Sequence, residues 1–181
     1  MIGFAGVFLI GLALAAPVPA SPEVPEPAGY RGEPYRAPVP DTLAGAEVVD
    51  DEEAHALWQS RGAVFIDALP HSPRPANLPE GTIWHEKPHL SIPGAIWLPD
   101  TGYEALAPET LAYLLRGLEA ATGGKPDAPI IFFCKADCWM SWNAAKRAIE
   151  NGYSRVMWYP DGVDGWRGAG WPLEQVAPAT P

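Results

Sequence analysis

The stretch "APIIFFCKADCWMSWNAAKRAIENGYSRVMWYP", residues 128–160, carries the pattern that decides the fold. Its first part, 128–134, is a continuous apolar run, which is typical of a strand buried on both faces. Residues 141–152 have the apolar period of a helix, and residues 154–160 predict a second strand. Two strands joined by one helix form a parallel crossover unit, so this stretch predicts a parallel α/β sheet.

The same alternation of helix and strand extends toward the N-terminus. A capping box of Asp50 and Glu53 begins a predicted helix over 50–62, and an amphipathic helix is expected over 108–123. Further strands are expected at 63–68 and 94–99. We therefore predict one domain over residues 46–175, built as an open parallel sheet with helices on both faces, followed by a C-terminal tail over 176–181.

The first residues predict export. The first 22 residues carry no charged side chain, and residues 2–16 form an apolar run of 15. This run is shorter than the roughly 20 residues of a membrane span and is typical of a secretory signal that ends at small residues. We predict a cleaved signal peptide over residues 1–20 and a periplasmic protein, with an uncleaved anchor or a cytosolic N-terminal helix as alternatives.

Residues 21–45 are rich in proline and lack periodicity, which predicts an extended segment. We interpret it as a solvated linker, although its repeated Tyr-Arg pairs at 30–31 and 35–36 could pack along the domain. The chain has a net charge of −10. Such an acidic protein repels phosphate backbones, so nucleic acid is excluded as a partner.

The two cysteines, Cys134 and Cys138, lie between the predicted strand 128–134 and the helix that follows. Ligands of open α/β sheets bind at the carboxyl ends of the strands. The positive end of a helix dipole stabilises a thiolate there, so we expect a lowered pKa for the Cys134 thiol and a nucleophilic sulfur.

A long loop over 70–91 should lie above the same edge of the sheet, because it begins after Asp67, at the end of a neighbouring strand. The loop carries His71, His85 and His89. One of these could meet the thiolate as a base, an orienting donor or a metal co-ligand. The alternative is that all three are surface histidines without a joint role.

Four segments resemble a known family. "VFIDAL", "HLSIPGAIWLP", "PIIFFC" and "SWNAAKRAIENGYSRVMWYPDGVDGWRGAGWP" follow in order the pattern of rhodanese-like (sulfurtransferase) domains, over about residues 45–175. The resemblance implies that Cys134 is the nucleophile that carries a persulfide, and that no cofactor is required.

A narrower resemblance concerns "CKADCW", the exported leader and "YRAPVP". This combination is similar to the exported CXXCW-motif proteins associated with catabolism dependent on the quinone cofactor PQQ, although the spacing here is C-x-x-x-C-W. It implies a periplasmic accessory role beside a PQQ-dependent alcohol dehydrogenase system.

The active loop departs from the usual rhodanese pattern. It is one residue longer and lacks the arginine, whose place falls on Trp139 or Met140, before Ser141. A phosphatase needs such an arginine to clamp phosphate, which argues against that activity. The only cation of the loop is Lys135, which could favour thiosulfate or stabilise a persulfide, or could simply be a solvated lysine.

The remaining loop residues leave several functions open. Cys138 could join Cys134 in redox or persulfide chemistry, form a loop-shaping disulfide, or help to bind copper(I). The partner would be a small sulfur donor or a periplasmic redox protein. Trp139 and Trp142 could present an aromatic surface to a quinone or pack in the core. Asp137 could cap the helix or bond the loop amides, and Ala136 completes the loop.

Overall fold

The computed structural model describes residues 24–85 and 87–181, so the predicted signal peptide lies outside the described residues. The elements alternate along the chain: β1 (Ala46–Val48), α1 (Asp51–Ser60), β2 (Val64–Asp67), β3 (His89–Ser91), β4 (Ile96–Trp97), α2 (Pro108–Thr122), β5 (Ile130–Phe133), α3 (Trp139–Glu150), β6 (Val156–Tyr159), α4 (Gly162–Gly168) and β7 (Glu174–Val176).

Five of these strands form one parallel sheet in the order β1-β6-β5-β2-β4. The central strand β5 pairs with β6 on one side and with β2 on the other. Strands β3 and β7 form a separate antiparallel pair. The predicted parallel α/β fold is confirmed.

Strand β5 shows why the apolar run at 130–133 predicts a doubly covered strand. Ile130 and Phe132 point into the apolar cluster formed with α2 and α3, whereas Ile131 and Phe133 point into the cluster formed with α1 and α4. All four side chains are fully buried. Each such burial contributes about 1.5–3 kcal/mol, so both faces of the strand need a helical layer.

The predicted helix ends are confirmed where the sequence carries a capping box, an initial proline or a final glycine. The Asp50 carboxylate accepts a hydrogen bond from the Glu53 amide at 2.9 Å, and the Glu53 carboxylate accepts one from the Asp50 amide at 3.0 Å. Helix α2 begins at Pro108 and ends before Gly123, which has φ +64°. Helix α3 begins at Trp139, earlier than predicted, and the strand expected over 94–99 is reduced to the two residues of β4.

The proline-rich segment is packed on the domain, so the interpretation as a solvated linker is wrong. We call residues 24–45 the N-terminal strap. The indoles of Trp139 and Trp142 donate to strap carbonyls, and Asn143 exchanges two hydrogen bonds of 2.9 Å with the main chain of Arg31. An extended chain leaves its carbonyls unpaired, and α3 supplies donors for them.

Within residues 24–85 and 87–181, no helix is both long enough and apolar enough to cross a bilayer.

Candidate active site

Cys134 follows the last residue of β5, at the carboxyl edge of the sheet. Its carbonyl accepts a hydrogen bond of 3.0 Å from the amide of Val163 in α4, which fixes the main chain there. Its Sγ lies 3.3 Å from the Cys138 carbonyl oxygen and 3.1 Å from Ser141 Oγ. The side chain is 0% exposed. The thiol therefore points toward the start of α3, as the sequence predicts, but it is shut off from solvent.

The pKa of Cys134 is raised well above the ordinary value of 9.0, so the predicted lowering is wrong. Burial is the main cause, because a thiolate without water loses its solvation. The neighbouring Cys138 thiol raises the pKa further, while hydrogen bonds from Ser141 act in the opposite direction and are weaker. The start of α3 is present, but it does not compensate for desolvation.

Cys138 is the N-cap residue of α3 and has the more acidic thiol. Its pKa is lowered to about 7, mainly by a hydrogen bond from Cys134, while burial opposes this shift. Backbone N–H groups of Met140 and Lys135 also stabilise the Cys138 thiolate. The pair therefore holds its first negative charge on Cys138, with Cys134 as the hydrogen-bond donor.

The two thiols lie under a cover made of three side chains. Cys134, Cys138 and Met140 form a buried cluster against which Tyr35, Leu69 and Tyr103 pack. Tyr35 belongs to the N-terminal strap, which runs antiparallel to the active loop at Cys138. Two main-chain hydrogen bonds hold it there, from the Trp139 amide to the Tyr35 carbonyl at 2.9 Å and from the Ala37 amide to the Asp137 carbonyl at 3.0 Å. The strap leaves Cys138 only 2% exposed.

A cationic cavity of about 240 Å³ adjoins the active loop. Its lining includes four residues with basic side chains, namely Lys87, His89, Lys135 and Arg167. Leu69 lines this cavity and also packs against the cysteine cluster, so its side chain is shared by the cavity wall and the cover of the thiols. The arrangement places positive charge one residue from Cys134 without an arginine in the loop.

Comparison with known families decides the identity of the domain. The family model of the rhodanese-like domain matches residues 51–169. The chain belongs to this family. The sequence resemblance described above implies that Cys134 is at the nucleophile position of the family. The other site residues also belong to this rhodanese-like domain or contact it.

Solved structures of sulfur-transferring proteins are similar to this chain to different degrees. The rhodanese-like chain is similar to a thiosulfate sulfurtransferase from Pseudomonas aeruginosa, with 26% identity and a TM-score of 0.50, over 74% of this chain and 21% of that one. It therefore spans about a fifth of the length of that enzyme. A polysulfide-sulfur transferase from Wolinella succinogenes matches with 18% identity and a TM-score of 0.44, over 74% and 82% of the two chains. A human single-domain sulfurtransferase matches with 21% identity and a TM-score of 0.42, over 68% and 96%. Comparison with curated proteins finds no match.

Two of the three predicted histidines are bound to carboxylates rather than to the cysteines. His89 Nε2 lies 2.7 Å from Oδ2 of the fully buried Asp67, which also accepts a 2.6 Å hydrogen bond from Ser91. His71 pairs with the half-exposed Asp100 at 2.7 Å, and His85 is exposed. Within residues 24–85 and 87–181, the hydrogen bonds of the two thiols involve no histidine. Asp67 and His89 support the loop beside the cavity.

The other predicted loop residues have structural roles. Asp137 adopts a left-handed conformation with φ +51°, and the N-cap of α3 is Cys138, so Asp137 does not cap the helix. Ala136 is half-buried and Met140 is buried. Trp139 and Trp142 are both buried under the strap, with ring centroids 5.4 Å apart, so they form part of the core and not an exposed surface for a quinone.

Both cysteines are free thiols. In the part of the chain that the structure describes, no group of three or more His, Cys, Asp or Glu side chains is placed to hold a metal ion. The soft donors present at the site are the two thiols and the thioether of Met140, which packs with them.

The site residues missed from the sequence include Tyr35, Leu69, Tyr103 and Trp158. The indole N–H of Trp158 donates to Ser141 Oγ at 3.1 Å. Tyr35 lies in the repeated Tyr-Arg pattern, which marks unusual aromatic content within a proline-rich segment. Trp158 lies in an apolar strand, where only packing is expected. No pattern in the sequence distinguishes Leu69 from other apolar residues that follow a strand.

Proposed function

We propose that this rhodanese-like chain is an exported sulfur-transfer protein in which Cys134 carries a sulfane sulfur and Cys138 assists. The observation that carries the proposal is the pair of buried thiols in one cluster at the end of β5, whose pKa values are shifted in opposite directions. One thiol stands at the nucleophile position of the family, and the other lies beside it as a proton acceptor.

The first step is sulfur uptake. At pH 7 about half of the cysteine pairs carry one negative charge, which lies mainly on Cys138. As the Cys134 sulfur attacks the outer sulfur of thiosulfate, its proton passes to the Cys138 thiolate, which acts as a general base. A Cys134 S–S bond forms, the bond between the two donor sulfurs breaks, and sulfite leaves with the electron pair.

The second step uses Cys138 as the resolving thiol. Its sulfur attacks Cys134 Sγ of the persulfide, a Cys134–Cys138 disulfide forms, and hydrosulfide leaves. The sulfane sulfur is reduced to sulfide while two thiols are oxidised to a disulfide. An external dithiol then restores both cysteines. An acceptor thiol that takes the outer sulfur first would compete with this step.

The charges around the loop favour an anionic donor. The cavity beside Lys135 is also lined by the cationic side chains of Lys87 and Arg167. Among the residues that the structure describes, its lining includes no carboxylate. Thiosulfate is small and doubly charged, so it suits a cavity of about 240 Å³ with this charge. Movement of Leu69 would open the path to the thiols. The thiosulfate sulfurtransferase among the similar structures supports the same donor class.

Features of the sequence support the proposed compartment and the proposed partner system. The uncharged first 22 residues and the apolar run at 2–16 support export to the periplasm. The C-x-x-x-C-W motif and "YRAPVP" support an accessory role beside a PQQ-dependent alcohol dehydrogenase system. In that compartment, periplasmic redox proteins are the class of partner that would reset the disulfide.

Product analysis tests the proposal. Thiosulfate added without an acceptor should release one sulfite per chain and then hydrosulfide from the wild type. Cys138→Ser should release sulfite but not hydrosulfide, and Cys134→Ser neither. The same assay on Asn143→Ala, in which the strap has lost two hydrogen bonds, controls for access. The proposal is overturned if neither the wild type nor Asn143→Ala releases sulfite, or if Cys134→Ser still does.

A copper(I) site is the second candidate, because three sulfur-containing side chains, Cys134, Cys138 and Met140, lie in one buried cluster. Thiolate and thioether ligands suit this soft ion. The affinity for copper(I) should then fall in each single cysteine variant and in Met140→Leu. Equal affinity in the wild type and the double cysteine variant would exclude this candidate.

A further inference from the structure

The Ser141 hydroxyl lies among three polar groups at the start of α3. Its oxygen is 3.1 Å from Cys134 Sγ, 3.4 Å from the Cys138 carbonyl oxygen and 3.1 Å from Nε1 of Trp158. Ser141 is 1% exposed and Trp158 is fully buried. No solvent competes for these contacts, so the three partners together determine how the hydroxyl group is oriented.

Trp158 fixes the direction of this hydroxyl group. An indole N–H can only donate, so the Ser141 oxygen must accept from it. The single Ser141 O–H then has two possible acceptors, the Cys138 carbonyl and the Cys134 sulfur. When Cys134 is a thiol, its S–H is directed at Cys138, to the thiolate or, when Cys138 is protonated, to the carbonyl oxygen at 3.3 Å. When Cys134 is a thiolate, the Ser141 O–H can turn to the sulfur while the indole continues to hold the oxygen.

Other indoles of the protein have different hydrogen-bond partners. In the part of the chain that the structure describes, the indole N–H groups of five other tryptophans donate to main-chain carbonyls. Any buried tryptophan needs some partner for its N–H. Trp158, in contrast, donates to a side-chain hydroxyl that contacts the nucleophile, and this contact links strand β6 to the reacting sulfur.

We propose that Trp158 is a positioning residue for Cys134 and acts through Ser141. Its N–H occupies an acceptor site on the Ser141 oxygen and keeps the hydroxyl proton available to the sulfur, which stabilises the Cys134 thiolate in a buried site. Linked hydrogen bonds of this kind polarise each other, so the indole also strengthens the Ser141 donor. The inference rests on the proposed function, in which Cys134 is the reacting atom.

The test is the pKa of Cys134, measured by the ultraviolet absorbance of the thiolate in a Cys138→Ala background with a cysteine-free variant as the blank. Trp158→Phe should raise this pKa by about half a unit to one unit, the effect of one neutral hydrogen bond. Ser141→Ala should raise it at least as much. The double variant should match Ser141→Ala alone, because Trp158 then has nothing to act through.

Trp166→Phe is the matched control. It removes the indole N–H of another fully buried tryptophan, which donates to the Pro172 carbonyl at 2.7 Å on the other face of the sheet. The pKa of Cys134 should not move in this variant. An unchanged pKa in Trp158→Phe, an equal shift in Trp166→Phe, or additive shifts in the double variant would each overturn the proposal.

Two features keep the result interpretable. If Trp158→Phe does not fold, Ser141→Ala decides the matter, since an unchanged pKa there leaves Trp158 without a route to the sulfur. The titration also uses no sulfur donor. Loss of the pKa shift therefore overturns the role of Trp158, whereas absence of sulfite release overturns the proposed function, and the two failures are distinguishable.

Discussion

Removal of the Cys134 thiol should raise the pKa of Cys138. The hydrogen bond from Cys134 is the largest cause that lowers this pKa from 9.0 to about 7. In Cys134→Ala that donor is lost, while the amides of Met140 and Lys135 remain. The pKa of Cys138 should therefore settle between about 7 and 9.0. At pH 7, a thiol with a pKa of 7 is half ionised and one with a pKa of 9 is about one hundredth ionised, so the thiolate fraction falls by up to roughly fiftyfold.

The measurement is the ultraviolet absorbance of the thiolate, titrated from acid to alkaline pH in the wild type and in Cys134→Ala. This readout needs no reagent to reach a side chain that is 2% exposed. Cys134→Ser is the matched control, because its hydroxyl can still donate to Cys138 and should leave the pKa between those of the other two proteins. A pKa that stays near 7 in Cys134→Ala would refute the assignment of Cys134 as donor.

Two pairs of variants test the hydrogen bonds and ion pairs that hold the residues around the site. His89→Ala removes a partner of the buried Asp67 carboxylate and should lower the free energy of unfolding by about 1–3 kcal/mol. His71→Ala breaks an equally short pair whose partners are 41% and 39% exposed, so it should cost about 0–1 kcal/mol. Urea unfolding measures both, and equal costs would contradict the distinction. Asn143→Ala removes two hydrogen bonds to the strap and should speed alkylation of the cysteines roughly 5- to 100-fold. Asn151→Ala removes a bond within the end of α3 and should leave that rate unchanged.

The sheet and its main helices could be predicted because their residues repeat a simple pattern over enough positions. The apolar run of β5 and the amphipathic stripe of α2 follow from burial on two faces and on one face, respectively. The elements that were missed, β1, β3, β7 and α4, have three to seven residues each. Such lengths contain too few repeats of either period to distinguish a strand or helix from a turn.

The position of Cys134 was predictable and its electrostatic state was not. A strand that ends before a helix places the sulfur at the sheet edge whatever surrounds it. Its pKa depends on whether water reaches it, and this is decided by Tyr35, which is distant in sequence, and by Leu69 and Tyr103. The strap itself is held largely through its main-chain carbonyls, which every sequence offers, so composition alone predicts a solvated segment.

The same reasoning applies to the histidines. The order of the chain correctly places the loop over 70–91 beside the cavity at Lys135, since His89 lines it. Which acceptor a histidine selects depends on distances of a few ångströms, and the buried Asp67 offers His89 a charged partner at 2.7 Å. Pairing with a carboxylate is stronger than a contact with a neutral thiol.

The central claim is that Cys134 carries the sulfur, and mass spectrometry of peptides from thiosulfate-treated protein tests it most directly. In Cys138→Ser, where the persulfide cannot be resolved, an adduct of one sulfur atom should appear on the peptide that contains Cys134. In the wild type the same treatment should yield that adduct or a Cys134–Cys138 disulfide. An adduct on Cys138 in Cys134→Ser, or unmodified thiols in the wild type and both variants, would contradict the claim.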